Sequence, residues 1–210
     1  MKCKIQKPIL LKDTILKTLL ASILASNGLI NNSITSLIPS MLISPIGTIL
    51  IELVVYLIST KKYKNQTSKM ILKFIIIIIT TISIGFIYGF IYVKKFKNKK
   101  LPSKEMKSRS NKDNLLESIL IVLCCSISFS SAYINSDITT IISIGIATAL
   151  LPPLVNIGLN YGVYKGNPDM YSDIKYLIQS KKIGMLLFLI NSIGLFSGVY
   201  YYMKKQCDNI

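Results

Sequence analysis

Few residues of this chain combine a type and a setting that could do chemistry. Glu52 is the only acid well inside an apolar run, seven residues after Pro45. A charge at a membrane-helix centre costs about 3 kcal/mol, so such a residue faces a bundle interior or aqueous cavity, or lies near the interface with a lysine partner. Ser44-Pro45 interrupts the apolar stretch that holds Glu52, and Pro152-Pro153 interrupts another. Proline lacks the N–H and crowds the preceding turn. Breaking a helix there frees carbonyls and exposes half-helix ends that can hold an ion or polar solute. The alternative is a kink that only shapes the bundle. Asn156, Asn160 and Asn191 are uncharged polar residues in apolar surroundings, and interhelical hydrogen bonding explains them without a substrate.

Enzyme chemistry has little to work with. Histidine is absent, which removes the Ser-His pair, HExxH and histidine-ligated metal. No second acid within the runs completes a carboxylate dyad, and Walker A and Rossmann fingerprints are missing. No enzyme, cofactor or metal is expected. Of the cysteines, Cys3, Cys124, Cys125 and Cys207, none forms a CxxC pair, and Cys124 and Cys125 read as small hydrophobes. Arg109 is the sole arginine among 25 basic residues. Its planar fork can grip a carboxylate or phosphate bidentately, and the expected role is to anchor the surrounding segment on Glu117, a lipid phosphate or a backbone carbonyl.

The elements that must position these residues are membrane helices. The chain of 210 residues is 51% hydrophobic with a mean hydropathy of +0.52, too apolar for an ordinary soluble domain. Its net charge of +16 comes from lysines at the ends of apolar runs, which points to anionic headgroups and away from nucleic acid. Six helical segments are predicted, roughly Ile15–Ile30, Ile34–Ile58, Ile71–Val93, Leu115–Ile134, Ile138–Val163 and Ile183–Met203. A span takes about 20 residues, so the first, rising only about 24 Å, is short for the purpose. The organisation is a basic segment 1–14, a three-helix half 15–93, a basic linker 94–113, a second half 114–203 and a tail 204–210.

The halves resemble each other. Ser26–Ile38 matches Ser130–Ile142 at an offset of 104, with identities at Ser26/Ser130, Ile30/Ile134, Asn31/Asn135, Ile34/Ile138, Thr35/Thr139 and Ile38/Ile142. Ser44-Pro45 corresponds to Pro152-Pro153 at offset 108, and Gly85/Gly89 to Gly194/Gly198 at offset 109. Collinear order distinguishes this from chance matching in an Ile/Ser/Thr-rich chain. Three crossings per half invert the second half. The expected fold is therefore all-α integral membrane, two inverted three-helix repeats with proline-broken second and fifth helices, an architecture of many secondary transporters. The paired GxxxG motifs predict close helix packing, of the third helix on the sixth, and leave homo-oligomerisation open.

Asn27-Gly28-Leu29, Asn32-Ser33, Met41 to Pro45, Ser108-Arg109-Ser110, Gly145 to Pro153 (with ATALLPPL the most specific stretch) and Asn191 together resemble the uncharacterised hydrophobic membrane family called domain of unknown function 389. The likeness runs from about 18 to 203. Pro39 stands where that pattern is glycine-like, and the second proline expected after Pro45 is missing. The resemblance implies a multi-spanning domain without an established activity. Two functions fit: a transporter or channel-like protein for a small ion or polar solute, or a membrane scaffold organising lipid or partners. Charge counting does not orient the chain. Six spans leave the basic residues near-equal on the two faces, whereas five spans divide them strongly.

Overall fold

Asn32 makes the first reversal of the chain. It takes φ 54° and ψ 38°, and its N–H bonds to the Gly28 carbonyl oxygen. Asparagine enters this left-handed region because its short polar side chain can bond locally. The turn folds α1 (Leu11–Asn31) against α2 (Ile34–Ile43). Gly28 permits the approach, since a Cβ there would lie 2.8 Å from Leu37 Cγ. This computed structural model describes residues 10–58, 64–96, 101–134, 137, 150–170 and 174–208. The remaining elements are α3 (Ile46–Ile58), α4 (Lys64–Lys95), α5 (Lys104–Ser108), α6 (Asn114–Ile134), α7 (Leu151–Gly166), a 3-10 turn at Pro168–Met170 and α8 (Ile174–Asp208).

Among the described residues, five stretches are long and apolar enough to cross a membrane: Leu11–Asn31, Ile34–Ile58, Gln66–Lys95, Leu115–Ala132 and Lys175–Lys205. The first helix is longer than its apolar run. Thr14 and Thr18 are buried on the face shared with Ala21, Ser22 and Ala25, while Lys12, Asp13 and Lys17 point outward. Its 21 residues rise about 32 Å, which removes the shortfall of the Ile15–Ile30 reading. α4 and α8 likewise outrun their apolar centres, because lysine stems extend a helix while their ammonium groups reach water.

The second segment has a discontinuity. α2 ends at Ile43, Ser44 is extended at φ −61° and ψ 125°, and α3 starts at Ile46. Pro45 has no N–H for the Met41 carbonyl, and Pro39, inside α2, has none for Thr35. The Ile46 N–H faces Ser44 Oγ at 3.5 Å, and the Pro45 carbonyl accepts from Ile49 N–H at 3.1 Å. The fifth segment is described only from Leu150 onward; residues 138–149 lie outside the described residues. Pro152 and Pro153 fall in the first turn of α7, where a missing N–H leaves no helical carbonyl unserved. At 16 residues α7 is not itself among the five candidate spans.

α7 is nonetheless the centre of the molecule. Leu151 to Asn160 are all buried, so this stretch of the helix is packed around most of its circumference. Its closest neighbour is α4, and glycine is the reason. A Cβ on Gly85 would lie 2.5 Å from the Val155 carbonyl oxygen, and one on Gly89 2.5 Å from that of Leu159. Reciprocally, Cβ atoms on Gly158 and Gly162 would come within 2.1 and 2.0 Å of the Ile82 and Phe86 oxygens. Residue numbers rise together across this seam, so the helices run parallel. Two GxxxG faces meet backbone to backbone, as helices do in lipid, where contact rather than water exclusion drives association. The second glycine pair packs elsewhere: Gly194 meets Val122 and Gly198 meets Ser126, both on α6. The expected packing of the third helix on the sixth is thus corrected, to third on fifth and sixth on fourth. The sequence motif gives a small face but not the partner that fills it.

Candidate functional site

Part of the 94–113 linker folds into the end of the bundle. Ser103 caps α5, its Oγ accepting from the Met106 N–H at 3.1 Å and donating to the Leu29 carbonyl of α1. The Glu105 N–H donates to Asn32 Oδ1 at 3.0 Å. Leu101, Ser103, Met106 and Ser110 are buried, although lysines flank them.

Asn156 of α7 receives this segment. Its Nδ2 donates to the Met106 carbonyl at 3.0 Å and to Ser110 Oγ at 3.1 Å. One turn on, Asn160 Nδ2 donates to Ser180 Oγ of α8 at 2.6 Å. Ser180 lies 3.0 Å from Ser110 Oγ, and Tyr176 OH donates to Ser110 at 3.4 Å. Ser110 also reaches the Met106 carbonyl at 3.1 Å. With one proton and two lone pairs it can serve only three of these four neighbours at once, so the network has alternative arrangements. Among the described residues, Asn156 Oδ1 is buried without a hydrogen-bond partner. The cluster offers amides, hydroxyls and a main-chain oxygen. Such groups can coordinate or hydrogen-bond a small polar group.

Arg109 borders the cluster. Its guanidinium lies 3.7 Å from Glu105, with both side chains about a quarter exposed, so Glu105 takes the place expected of Glu117. Burial pushes the Arg109 pKa down, opposed by the Glu105 carboxylate, and its Nε is buried without a partner among the described residues.

The other candidates lie apart. Glu52 is half-buried in mid-α3, where the charge acting on it is Lys73 of α4. Ser44 and Pro45 sit at the α2/α3 junction. Pro152 and Pro153 are on α7, about one turn before Asn156. Asn191 is buried on α8, about 16 Å along that helix from Ser180 at 1.5 Å per residue. Of the predicted residues, the structure brings Asn156 to the linker and leaves Glu52 and Asn191 outside this cluster.

Sequence reasoning missed Ser103, Ser180, Tyr176 and the glycines Gly158 and Gly162. The last two carry the same GxxxG spacing as the motifs it noted, and Ser103 before Lys-Glu-Met has the form of a helix cap. Ser180 and Tyr176 carry no local signal.

The fold is that of the membrane class, all-helical among the described residues with apolar helices of spanning length. A family profile described as "Domain of unknown function (DUF389)" matches residues 41–197, and the chain belongs to that family. No curated protein matches it, and no solved structure does.

Proposed function

We propose that this is a multi-pass membrane protein that carries a small ion or polar solute along a path past Asn156 and Asn160. The observation that carries the reading is Asn156: fully buried, with an acceptor oxygen that has no partner among the described residues once its amide protons are placed. Buried acceptors are normally paired, and a site for a polar passenger explains one that is not. The 101–110 segment then closes the path at one end.

An inverted-repeat arrangement supports transport. First and third helices run parallel in each half, through Asn27–Tyr88 and Asn31–Tyr92 in one and Val122–Gly194 and Ser126–Gly198 in the other. Hydroxyl-bearing Thr14, Ser22 and Ser26 of α1 correspond to Ser118, Ser126 and Ser130 of α6 at the offset of 104. The discontinuity at Ser44-Pro45 and the prolines opening α7 occupy corresponding places. The scaffold reading rests on one feature, the scarcity of charge within the spans.

Proteoliposome flux with a panel of ions and small polar solutes decides between them. Transport by the wild type, with altered selectivity or rate in Asn156→Ala and Asn160→Ala, is the expected result. Absence of flux across the panel from correctly folded protein would overturn it in favour of the scaffold.

A further inference from the structure

The close α4/α7 seam leaves a groove on its outer side, with room of about 500 Å³ between Ile82, Phe86 and Ile87 on one wall and Ile157, Gly158 and Tyr161 on the other. Glycine makes the groove: Gly158 contributes no side chain to its floor, and the flanking residues stand up around it. Ile87 is 55% exposed, Tyr161 39% and Phe86 37%, so it opens away from the bundle. α4 is a candidate span, and this opening faces acyl chains when α4 crosses a bilayer.

Toward the linker end the groove becomes cationic. Phe86 stacks on Phe90 at 6.3 Å, and Lys94 Nζ lies 4.3 Å over the Phe90 ring. On the other wall Lys181 Nζ lies 5.9 Å over Tyr161, with Lys165 one turn beyond. Neither Lys94 nor Lys181 has a carboxylate ion-pair partner among the described residues. An apolar trough flanked by two cations, each held over an aromatic ring, is complementary to a molecule with an acyl chain and an anionic head. We propose that the groove is a binding site for one anionic phospholipid of the bilayer, its chain along Ile82, Phe86 and Gly158 and its phosphate at Lys94 and Lys181. A second copy of the chain fits poorly. A two-fold axis along the membrane normal brings equal depths together and sets each lysine against its own copy. This site is independent of the path past Asn156.

The chain lacks tryptophan, so a single introduced indole is a clean reporter. Full-length Tyr161→Trp, and separately Ile87→Trp on the opposite wall, would be reconstituted with phospholipids brominated in the acyl chain, either phosphatidylglycerol or phosphatidylcholine. Leu120→Trp, on exposed α6 surface, reports bulk boundary lipid. Both groove reporters are expected to be quenched by the anionic lipid at a mole fraction roughly five-fold or more below that for the zwitterionic one. That preference should vanish in Lys94→Gln/Lys181→Gln and be absent at Leu120→Trp. Equal quenching by both lipids in the groove would overturn the site, leaving ordinary boundary lipid. Weak quenching by both, together with cross-linked dimers, would overturn it in favour of a second copy.

Discussion

Asn156 of α7 donates through Nδ2 to the main-chain oxygen of Met106, 3.0 Å away, so the interior of one helix grips the backbone of the linker. Two substitutions separate what that bond does. Asn156→Leu removes it but leaves Met106 with Ser110 as donor, and it also removes the unpartnered Oδ1. The expected stability loss is therefore only about 1 kcal/mol, while trypsin cuts the Lys104–Arg109 segment faster as it loosens. Asn156→Asp places a carboxylate against that carbonyl oxygen, in a buried cluster of hydroxyls and amides. It should cost several kcal/mol. Thermal unfolding in detergent and timed proteolysis check both; equal effects would show that the amide does not hold the linker.

The glycine seam yields a graded series. Gly162→Ala pushes a methyl to within 2.0 Å of the Phe86 oxygen, a backbone atom that cannot rotate away. Separating two helices to admit it should cost about 1–3 kcal/mol or more. Gly194→Ala meets only the tip of the Val122 side chain, at 2.2 Å and not a backbone atom, and should cost less. Gly47→Ala meets nothing within 4 Å and lies inside α3, so it should be neutral or stabilising by about 0.5–1 kcal/mol. Midpoints of unfolding in one detergent should rank them in that order.

Much of this fold is legible in the sequence because lipid imposes a simple rule. Spanning helices must be apolar, and the segments around Ile34–Ile58 and Ile71–Val93 stand out for that reason. Helix ends were less legible. Lys64 to Met70 and Ile174 to Lys182 are polar enough to resemble loops, yet they continue helices whose lysines reach water. The glycine motifs identified small faces, but pairing is set by how all the helices fit together. Gly85 and Gly194 occupy matching sequence positions and meet unrelated partners. The linker was least legible. Ser103, Met106 and Ser110 lie within a lysine-rich stretch that reads as solvent-facing, and their contacts with Leu29, Asn156 and Ser180 are what bury them.

Glu52 tests whether its charge is structural or functional. Its electrostatic partner is Lys73 on the neighbouring α4, away from the Asn156 cluster. Glu52→Gln should shift stability by no more than about 1 kcal/mol, the scale of a partly exposed ion pair. It should leave any flux unchanged. Glu52→Lys sets two ammonium groups against each other within a span and should cost about 3 kcal/mol. Loss of flux with stability retained in Glu52→Gln would move the path to α3.

The last prediction concerns topology. Hydrogen bonds from Ser103 to Leu29, Glu105 to Asn32, Asn156 to Met106 and Tyr176 to Ser110 gather the Asn31–Ser33 turn, the linker and the start of α8 at one end. In the six-crossing arrangement these connections share one side of the membrane, with an even number of crossings between them. α8 runs 35 residues from that end, about 52 Å, enough to traverse the bilayer with turns to spare. Cys207 near its far end and a cysteine at exposed Lys112 should therefore face opposite sides. The dense lysines of the linker favour the cytosolic face for Lys112. In a variant lacking Cys3, Cys124 and Cys125, an impermeant thiol reagent applied to sealed vesicles should reach Lys112→Cys from one side and Cys207 only from the other. Labelling of both from a single side would mean that α8 does not cross, and the six-crossing arrangement would fall with it.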